Sequence, residues 1–451
     1  MIPIETMSFH TIGVPSTAYV LPASYDSIPV SWQSNKSAKP IASSMQTVNV
    51  PSLSGNQALG GSSVIQIPAG ASAGLMMNPY LRFTVQMTSA AGVANSSFYW
   101  KGAVRSASAI LNRISTYVNS VQVDNIPNAW AVYDQMLCCS TSNDYLTHDA
   151  TLMLGAGVQY FQPTAGATSS AQYTFCVPLL GLLGSQQALP LYLINGTVQL
   201  QLDYQPSAVN CYTAGTNDPV WTGMTVSNVQ LVYDKVMPEQ QFVDKVRSDM
   251  ARGAKYIYGY TNLSNVSLPL QFAAASGTAN LNYGINVSSL QGLLVNQYPT
   301  STLTTSGDAP SIANNLNQFQ VSLDGRLISS LALNSTTDPA LLFAEAQKVL
   351  ARLFDASVTS PLVNTATAAL AGGGNASGGD YLTKYFTIGA SAQRCAEGLA
   401  FQGSPCSVLN IQVGLNGTTN GVVGVNSTVF IVMISSFQIA IDQSGQIEII
   451  R

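Results

Sequence analysis

Apolar and polar residues alternate strictly through much of the chain, and a period of two marks a strand with one buried face. Phe83, Val85 and Met87 alternate with Thr84, Gln86 and Thr88, and Val198, Leu200, Leu202 and Tyr204 alternate with Gln199, Gln201 and Asp203. The same spacing puts Val229, Leu231 and Tyr233 on one face, then Phe319, Val321 and Leu323, then Leu409, Ile411, Val413 and Leu415, and last Phe437, Ile439 and Ile441. Turn residues separate these runs. Asp324-Gly325 directly follows one strand, and DQSG at 442–445 lies between two apolar runs as a terminal hairpin. Polar stretches at 302–317 and 371–380 read as long exposed loops.

Helical periodicity is confined to three places. Residues 238–252 bring Phe242, Val246 and Met250 to one face, with Pro238 suited to the first turn and Gly253 to the C-terminal cap. A second helix is expected over 339–354, with Asp338 as N-cap, Pro339 at the first position, and Leu342, Ala346, Val349 or Leu350, and Leu353 as its inner stripe. The third, shorter candidate is 129–139. Each half thus reads as strands, a helix inserted after the middle strands, then more strands, a weak internal repeat of about 200 residues.

Composition sharpens this picture. Of 451 residues only 8% are charged, 17 Lys+Arg and 21 Asp+Glu, against roughly 25% in soluble domains. The hydrophobic fraction, 46%, is ordinary, so neutral polar residues make up the difference. A net charge of −4 without a basic run offers no face to neutralise phosphates, which argues against direct nucleic-acid binding. The chain is also too hydrophobic for intrinsic disorder. Apolar runs such as 429–434 fall far short of the roughly 18 residues that span a bilayer, and the start, MIPIETMSFHTIG, carries Glu5 and no secretory leader pattern.

The few charges are unevenly placed. Nine fall between Asp234 and Lys255, whereas none occurs in 150–202 or 256–307. A solvated connector between two nearly uncharged domains follows: an N-terminal arm at 1–40, a first domain at 41–238, a charged connector helix at 239–255 and a second domain at 256–451.

Candidate chemistry is sparse. There are two histidines, His10 and His148, and five Glu. His148 beside Asp149 is the best single acid–base candidate, but no GxSxG elbow or other nucleophile context accompanies it, and it reads as a loop histidine. Cys138, Cys139, Cys176, Cys211, Cys395 and Cys406 form no CxxC pair and read mostly as buried thiols. The adjacent Cys138 and Cys139 would point about 100° apart on a helix. Zinc and EF-hand spacings are lacking, which leaves open only calcium held by loop carbonyls. The Gly-rich stretch 371–380 lacks the Gly-Lys-Ser/Thr ending of a phosphate cradle. Ten glycosylation sequons, at Asn35, Asn95, Asn195, Asn262, Asn265, Asn286, Asn334, Asn375, Asn416 and Asn426, would suit a secreted protein, against which stands the missing leader. No catalytic, cofactor-binding or metal residue is assigned, and no cofactor or small-molecule substrate is expected.

The order of these elements resembles that of the double jelly-roll major capsid proteins of icosahedral DNA viruses, most of all the virophage, Polinton-like and related eukaryotic virus group. VPLLGLLGSQQALPLYLINGTVQLQLDY (177–204) is similar to the family's segment in which a short loop and LPL lead into a long strand. LPLQFAAASGTANLNYGINVSSLQGLLV (268–295) resembles its opening strands in the second half, and FQVSLDGRLIS (319–329) its central strand before an inserted helix. YFTIGASAQ (385–393), GSPCSVLNIQVGLN (403–416) and TVFIVMISSFQIAIDQSGQIEII (428–450) resemble its closing strands, so the likeness spans nearly the whole chain.

The resemblance implies an all-β chain of two consecutive eight-stranded jelly-roll sandwiches with a few short inserted helices. It also implies a non-enzymatic role as a homotrimeric, pseudo-hexagonal capsomer in the virion, contacting neighbouring capsomers and penton or minor capsid proteins. Whether the arm touches an internal membrane is left undecided. The composition agrees, because interface cores are depleted in charge. Two other readings stand beside it: a carbohydrate-binding or adhesive β-sandwich, favoured by 20 Tyr and by Ser/Thr/Asn richness, and a β-sandwich hydrolase, disfavoured by the scarcity of His and Glu.

Overall fold

The computed structural model describes residues 42–450, apart from 90–97, 141–148, 157–168, 186, 215–220, 271–275, 304–309, 332–334, 336–338, 350–381, 383–384, 393–402, 417, 420–421 and 424–425. The first half contributes β1 (Ala42–Pro51), β2 (Ser62–Pro68), β3 (Leu75–Ser89), β4 (Leu111–Val118), β5 (Val121–Pro127), β6 (Ser169–Pro178), β7 (Thr197–Tyr204) and β8 (Trp221–Pro238). One sheet runs β1-β8-β3-β6 and the other β2-β7-β4-β5, with antiparallel pairing throughout. First strand beside last, with the intervening strands shared between two sheets, is the jelly-roll order.

The second half repeats it with β9 (Tyr256–Leu270), β10 (Ser276–Pro299), β11 (Leu316–Leu323), β12 (Arg326–Leu331), β13 (Ile388–Ser391), β14 (Ser404–Asn416), β15 (Ser427–Ile441) and β16 (Ile447–Ile450). Here β10 takes the places of both β2 and β3. Up to Leu290 it pairs with β14, and from there to Pro299 with β15, while β13 adds to its other edge. Register slips at Gly284/Val287 and Val287/Leu290 mark where it changes partners. Extra unpaired residues bend a strand, and such irregularities let one strand turn a sandwich corner. The two sheets, β9-β15-β10-β13 and β10-β14-β11-β12, thus match those of the first roll, and eight strands are counted when β10 serves twice.

The alternating runs bury the side that the sequence marks. Phe83, Val85 and Met87, Val198, Leu200 and Leu202, Phe319, Val321 and Leu323, and Leu409, Ile411 and Val413 are all buried. Asp324 and Gly325 both have positive φ, 48° and 77°, and form the β11–β12 turn, while 442–446 closes the β15–β16 hairpin. One run departs from the half-buried pattern: Val429 to Ile434 in β15 is buried on both faces, and Phe430 packs against Trp130 of the first half.

Among the described residues five α-helices interrupt the strands: α1 (Ala129–Ser140), α2 (Ala150–Leu154), α3 (Gln240–Ala251), α4 (Thr300–Leu303) and α5 (Pro339–Val349). α1 follows β5 and α5 follows β12, so the inserted helix occupies the same slot in each half. In α5 Leu342, Ala346 and Val349 are buried, whereas Asp338 and residues beyond Val349 lie outside the described residues. The connector helix α3 starts later than its periodicity implies. Pro238 ends β8 opposite Ala42, Glu239 is extended (φ −60°, ψ 139°), and Val243, Val246 and Met250 are buried while Phe242 is half-buried. Pairing with β1 extends β8 through Pro238, and a proline at a strand end sacrifices no ladder bond. Gly253 (φ +95°) caps the helix as expected, donating its N–H to the Met250 carbonyl at 2.9 Å.

Ile411 has no exposed surface. Ile411→Asp, like Val198→Asp, places a carboxylate without a partner in the core, and such changes cost several kcal/mol. Both variants are expected to lose the cooperative melt followed by circular dichroism. A soluble variant with a wild-type melt would show that the inward face is wrongly assigned.

Candidate functional site

The residues that carry conventional site chemistry do not converge. His10, His148 and Cys395 lie outside the described residues, and Cys138 and Cys139 belong to α1. Cys176, Cys211 and Cys406 are free thiols. Burial pushes all three up in pKa, Cys406 to about 11 with help from the Asp324 carboxylate, and a thiol held protonated is a poor nucleophile and metal ligand. Among the described residues no three His, Cys, Asp or Glu side chains are grouped to hold a metal, and no helix is long and apolar enough to cross a membrane. The sequons divide by exposure. Asn262 and Asn265 are buried in β9, whereas Asn195, Asn286 and Asn426 are exposed.

The densest convergence of polar and aromatic groups is the junction between the two rolls. Trp130 of α1 meets Tyr298 of β10 and Phe430 of β15, with ring centroids 5.3–5.4 Å apart. All three are buried, and such tilted and edge-on pairs contribute about 0.5–1.5 kcal/mol each beyond area burial. The Tyr298 hydroxyl donates to Asp134 Oδ2 at 2.9 Å, and the same carboxylate accepts the Ala103 and Val104 N–H groups at 2.9 and 2.8 Å. Gly102 (φ +103°) permits this approach, since a Cβ there would lie 2.8 Å from Asp134 Oδ1. Buried Lys101 donates from Nζ to the Leu303 carbonyl at 2.9 Å, again joining the halves.

A second set of bonds seals the edge of β5. Sheet edges present unpaired backbone groups that must be covered, and side chains of β9 supply the cover. Tyr260 donates to the Val123 carbonyl at 3.0 Å, and Asn265 Nδ2 donates to the Pro127 carbonyl at 3.3 Å. Tyr258 reaches the Gln187 carbonyl at 3.0 Å. The β15–β16 turn joins from the other side: the Gly445 carbonyl accepts from Asn119 Nδ2 at 3.2 Å and from the Asn195 N–H at 3.3 Å. A groove of about 390 Å³ beside it is lined in part by Asn195, Arg247, Met250 and Gln443.

Asp124, on β5 under this junction, is an acid whose protonation is displaced into the physiological range. Burial pushes its pKa from 3.8 to about 7, against the opposing pull of the Leu182 and Asn125 N–H groups. Its Oδ2 accepts the Leu182 N–H at 3.0 Å, and Oδ1 has no hydrogen-bond partner among the described residues. The loop above it must be Gly181 (φ +68°), because a Cβ there would fall 1.5 Å from Oδ2. Neither Asp124 nor Asp134 is marked by periodicity. The signal in the sequence is the glycine that each requires, in LLGLLG at 179–184 and in the Lys101-Gly102 pair.

Outward faces of the two rolls share a chemistry. In the first, Gln66 lies beside Gln199, and the cross-strand pair Arg113–Asp203 is closed at 2.6 Å. In the second, Asn280, Gln412 and Gln320 form one row and Asn282, Asn410 and Ser322 the next. These faces are neutral, polar and suited to hydrogen bonding with little desolvation of charge.

No protein-family model matches the chain, and no curated protein matches its sequence. Solved structures do. PBCV-1 VP54, fitted into a reconstruction of the virophage Sputnik, superposes with a TM-score of 0.61 at 12% identity over 92% of this chain and 99% of that one. A chain of the Sputnik virophage structure gives 0.58 at 12% identity over 92% and 89%. The mavirus major capsid protein gives 0.54 at 14% identity over 98% and 97%. The chain therefore has the double jelly-roll fold over its length, as the resemblance in sequence implied.

Two predictions follow from the junction. Trp130→Ala should lower stability by about 3–5 kcal/mol in urea titrations, and a change under 1 kcal/mol, or about that, would show that the aromatic cluster is not a principal contact. Because the folded pKa of Asp124 is raised, its stabilising contribution is complete below about 3.8 and is lost as pH climbs through about 7. Asp124→Asn should flatten that part of the melting-temperature profile and raise the melting temperature at about pH 8. Parallel profiles for variant and wild type would exclude Asp124 as the titrating group.

Proposed function

We propose that this chain is the major capsid protein of an icosahedral DNA virus, a structural rather than enzymatic protein that resides in the virion. The observation that carries the proposal is the fold: two jelly rolls in one chain, joined by a short helix and superposing along almost their entire length on the mavirus major capsid protein. In this reading residues 1–40 form an arm, 41–238 and 256–451 the two rolls, and 239–255 the connector.

The working unit is a homotrimer whose six rolls give a pseudo-hexagonal outline, and trimers tile the shell beside penton and minor capsid proteins. The charge deficit supports this role. A subunit that presents most of its sides to neighbours avoids the penalty of desolvating unpaired ions, several kcal/mol for each, and the neutral amide faces of both rolls are the surfaces such packing requires. The buried thiols and the use of Asp124, Asp134 and Asp324 as acceptors for backbone N–H groups fit a scaffold whose polar groups are spent on fixing loops.

Light scattering on the purified chain should give three times the 47.5 kDa chain mass, and negative-stain images should show hexagonal particles. A stable monomer across the accessible concentration range would overturn the capsid reading.

A further inference from the structure

Asparagine followed by glycine is chemically unstable unless the fold restrains it. The glycine nitrogen is the nucleophile and the asparagine side-chain amide the electrophile, and they react only when the side chain is free to turn back onto the next peptide. Glycine has no side chain to hinder that approach. Three such pairs occur, Asn195-Gly196, Asn416-Gly417 and Asn420-Gly421. Of these, Asn195-Gly196 lies wholly within the described residues.

Asn195 and Gly196 form the exposed lead-in to β7. The main chain is tied down on either side: the Asn195 N–H donates to the Gly445 carbonyl at 3.3 Å, and the Thr197 N–H to Asn119 Oδ1 at 3.2 Å. Between these anchors the two reacting groups are left over. Among the described residues nothing bonds the Asn195 side-chain amide or the Gly196 N–H. The glycine is also imposed by the fold, since its φ is +132° and a Cβ there would lie 2.1 Å from Asn119 Oδ1. Two similar dipeptides are restrained. In Asn119-Ser120 the side chain is held twice, Nδ2 donating to the Gly445 carbonyl and Oδ1 accepting the Thr197 N–H, each at 3.2 Å. In Asp324-Gly325 the carboxylate accepts the Ser407 and Val408 N–H groups at 2.8–3.1 Å.

We propose that Asn195 is a self-modification site, where the chain converts its own side-chain amide to a carboxylate without an enzyme. The Gly196 nitrogen gives up its proton and bonds to Asn195 Cγ, the bond from Cγ to the amide nitrogen breaks, and ammonia leaves with that proton. The cyclic imide then takes up one water. Opening at Cγ gives aspartate, whereas opening at the former main-chain carbonyl gives isoaspartate, with the backbone rerouted through the side chain. Water is the one co-reactant, so the reaction proceeds whether or not chains assemble. Isoaspartate adds a carbon to the backbone between the Gly445 and Asn119 anchors, which loosens the seal between the first roll and the β15–β16 turn. Either product brings a carboxylate to the groove that Asn195 shares with Arg247. An exposed ion pair contributes little, so the rerouted backbone decides the sign and the aged form is the less stable one.

The test takes the full-length chain from a bacterial host, where the sequon receives no sugar, and incubates it in mildly alkaline buffer made with heavy-oxygen water. Acids formed during incubation carry the label. Peptide mass mapping locates them, separating Asn195 from Asn416 and Asn420, and isoaspartyl methyltransferase labelling distinguishes the two products. Asn195 should convert at least about tenfold faster than Asn119, mainly to isoaspartate, and Asp324 should show no isoaspartate. Asn195→Gln, whose longer side chain closes a ring far more slowly, should remove the product and leave the urea midpoint of fresh protein unchanged. The converted wild-type fraction, separated by anion exchange, should unfold at lower urea than the unconverted one. Equal rates at Asn195 and Asn119 would overturn the site. Conversion that leaves the urea midpoint where it was would overturn its effect on the seal.

Discussion

An open β-sheet cannot leave its edge backbone both exposed to partners and free of them, and in this molecule that constraint organises everything else. The β5 edge is satisfied only because β9 brings Tyr260 and Asn265 to the Val123 and Pro127 carbonyls. That seal fixes where the second roll sits. Once it does, Trp130 meets Tyr298 and Phe430, Asp134 gains the Tyr298 hydroxyl, and the β15–β16 turn reaches Asn119 and Asn195. Directional hydrogen bonds and aromatic burial act together at this junction, each contact contributing about 0.5–1.5 kcal/mol.

The charge deficit becomes intelligible in the same terms. Charged residues stand out in the connector, where α3 is largely solvated, and are nearly absent from the strands that face sheets, loops or the other roll. Where acids do enter the interior they are anchored by backbone donors and by glycines that make room. Asp124 is a costly placement, since one of its oxygens has no donor among the described residues and burial raises its pKa to about 7. A protein with so little charge relies on shape and neutral hydrogen bonds for the specificity of its contacts.

Much of the architecture was legible in the chain. The alternating runs identify the inner faces of β3, β7, β11 and β14, Asp324-Gly325 and DQSG locate two hairpins, and the placement of one helix in each half exposes the duplication. Legibility ends where a residue's role depends on what lies opposite. The apolar run 429–434 does not reveal that both its faces are covered, nor does the sequence show that β10 is a single strand serving two sheets. Periodicity also starts the connector helix at Pro238, which the ladder with β1 retains in a strand. The acids and tyrosines of the junction are ordinary polar positions until the second roll is placed.

By itself, then, the sequence determined the class of structure: strand faces, turns, a duplicated order of elements and a surface poor in charge, because these follow from local periodicity and composition. Only the tertiary structure decided which edge meets which, which acids are buried, and which apolar residues remain exposed. Those outcomes depend on contacts between residues more than a hundred positions apart, such as Tyr260 with Val123 and Tyr298 with Asp134, and pattern within one segment carries no information about the partner that a distant segment brings to it.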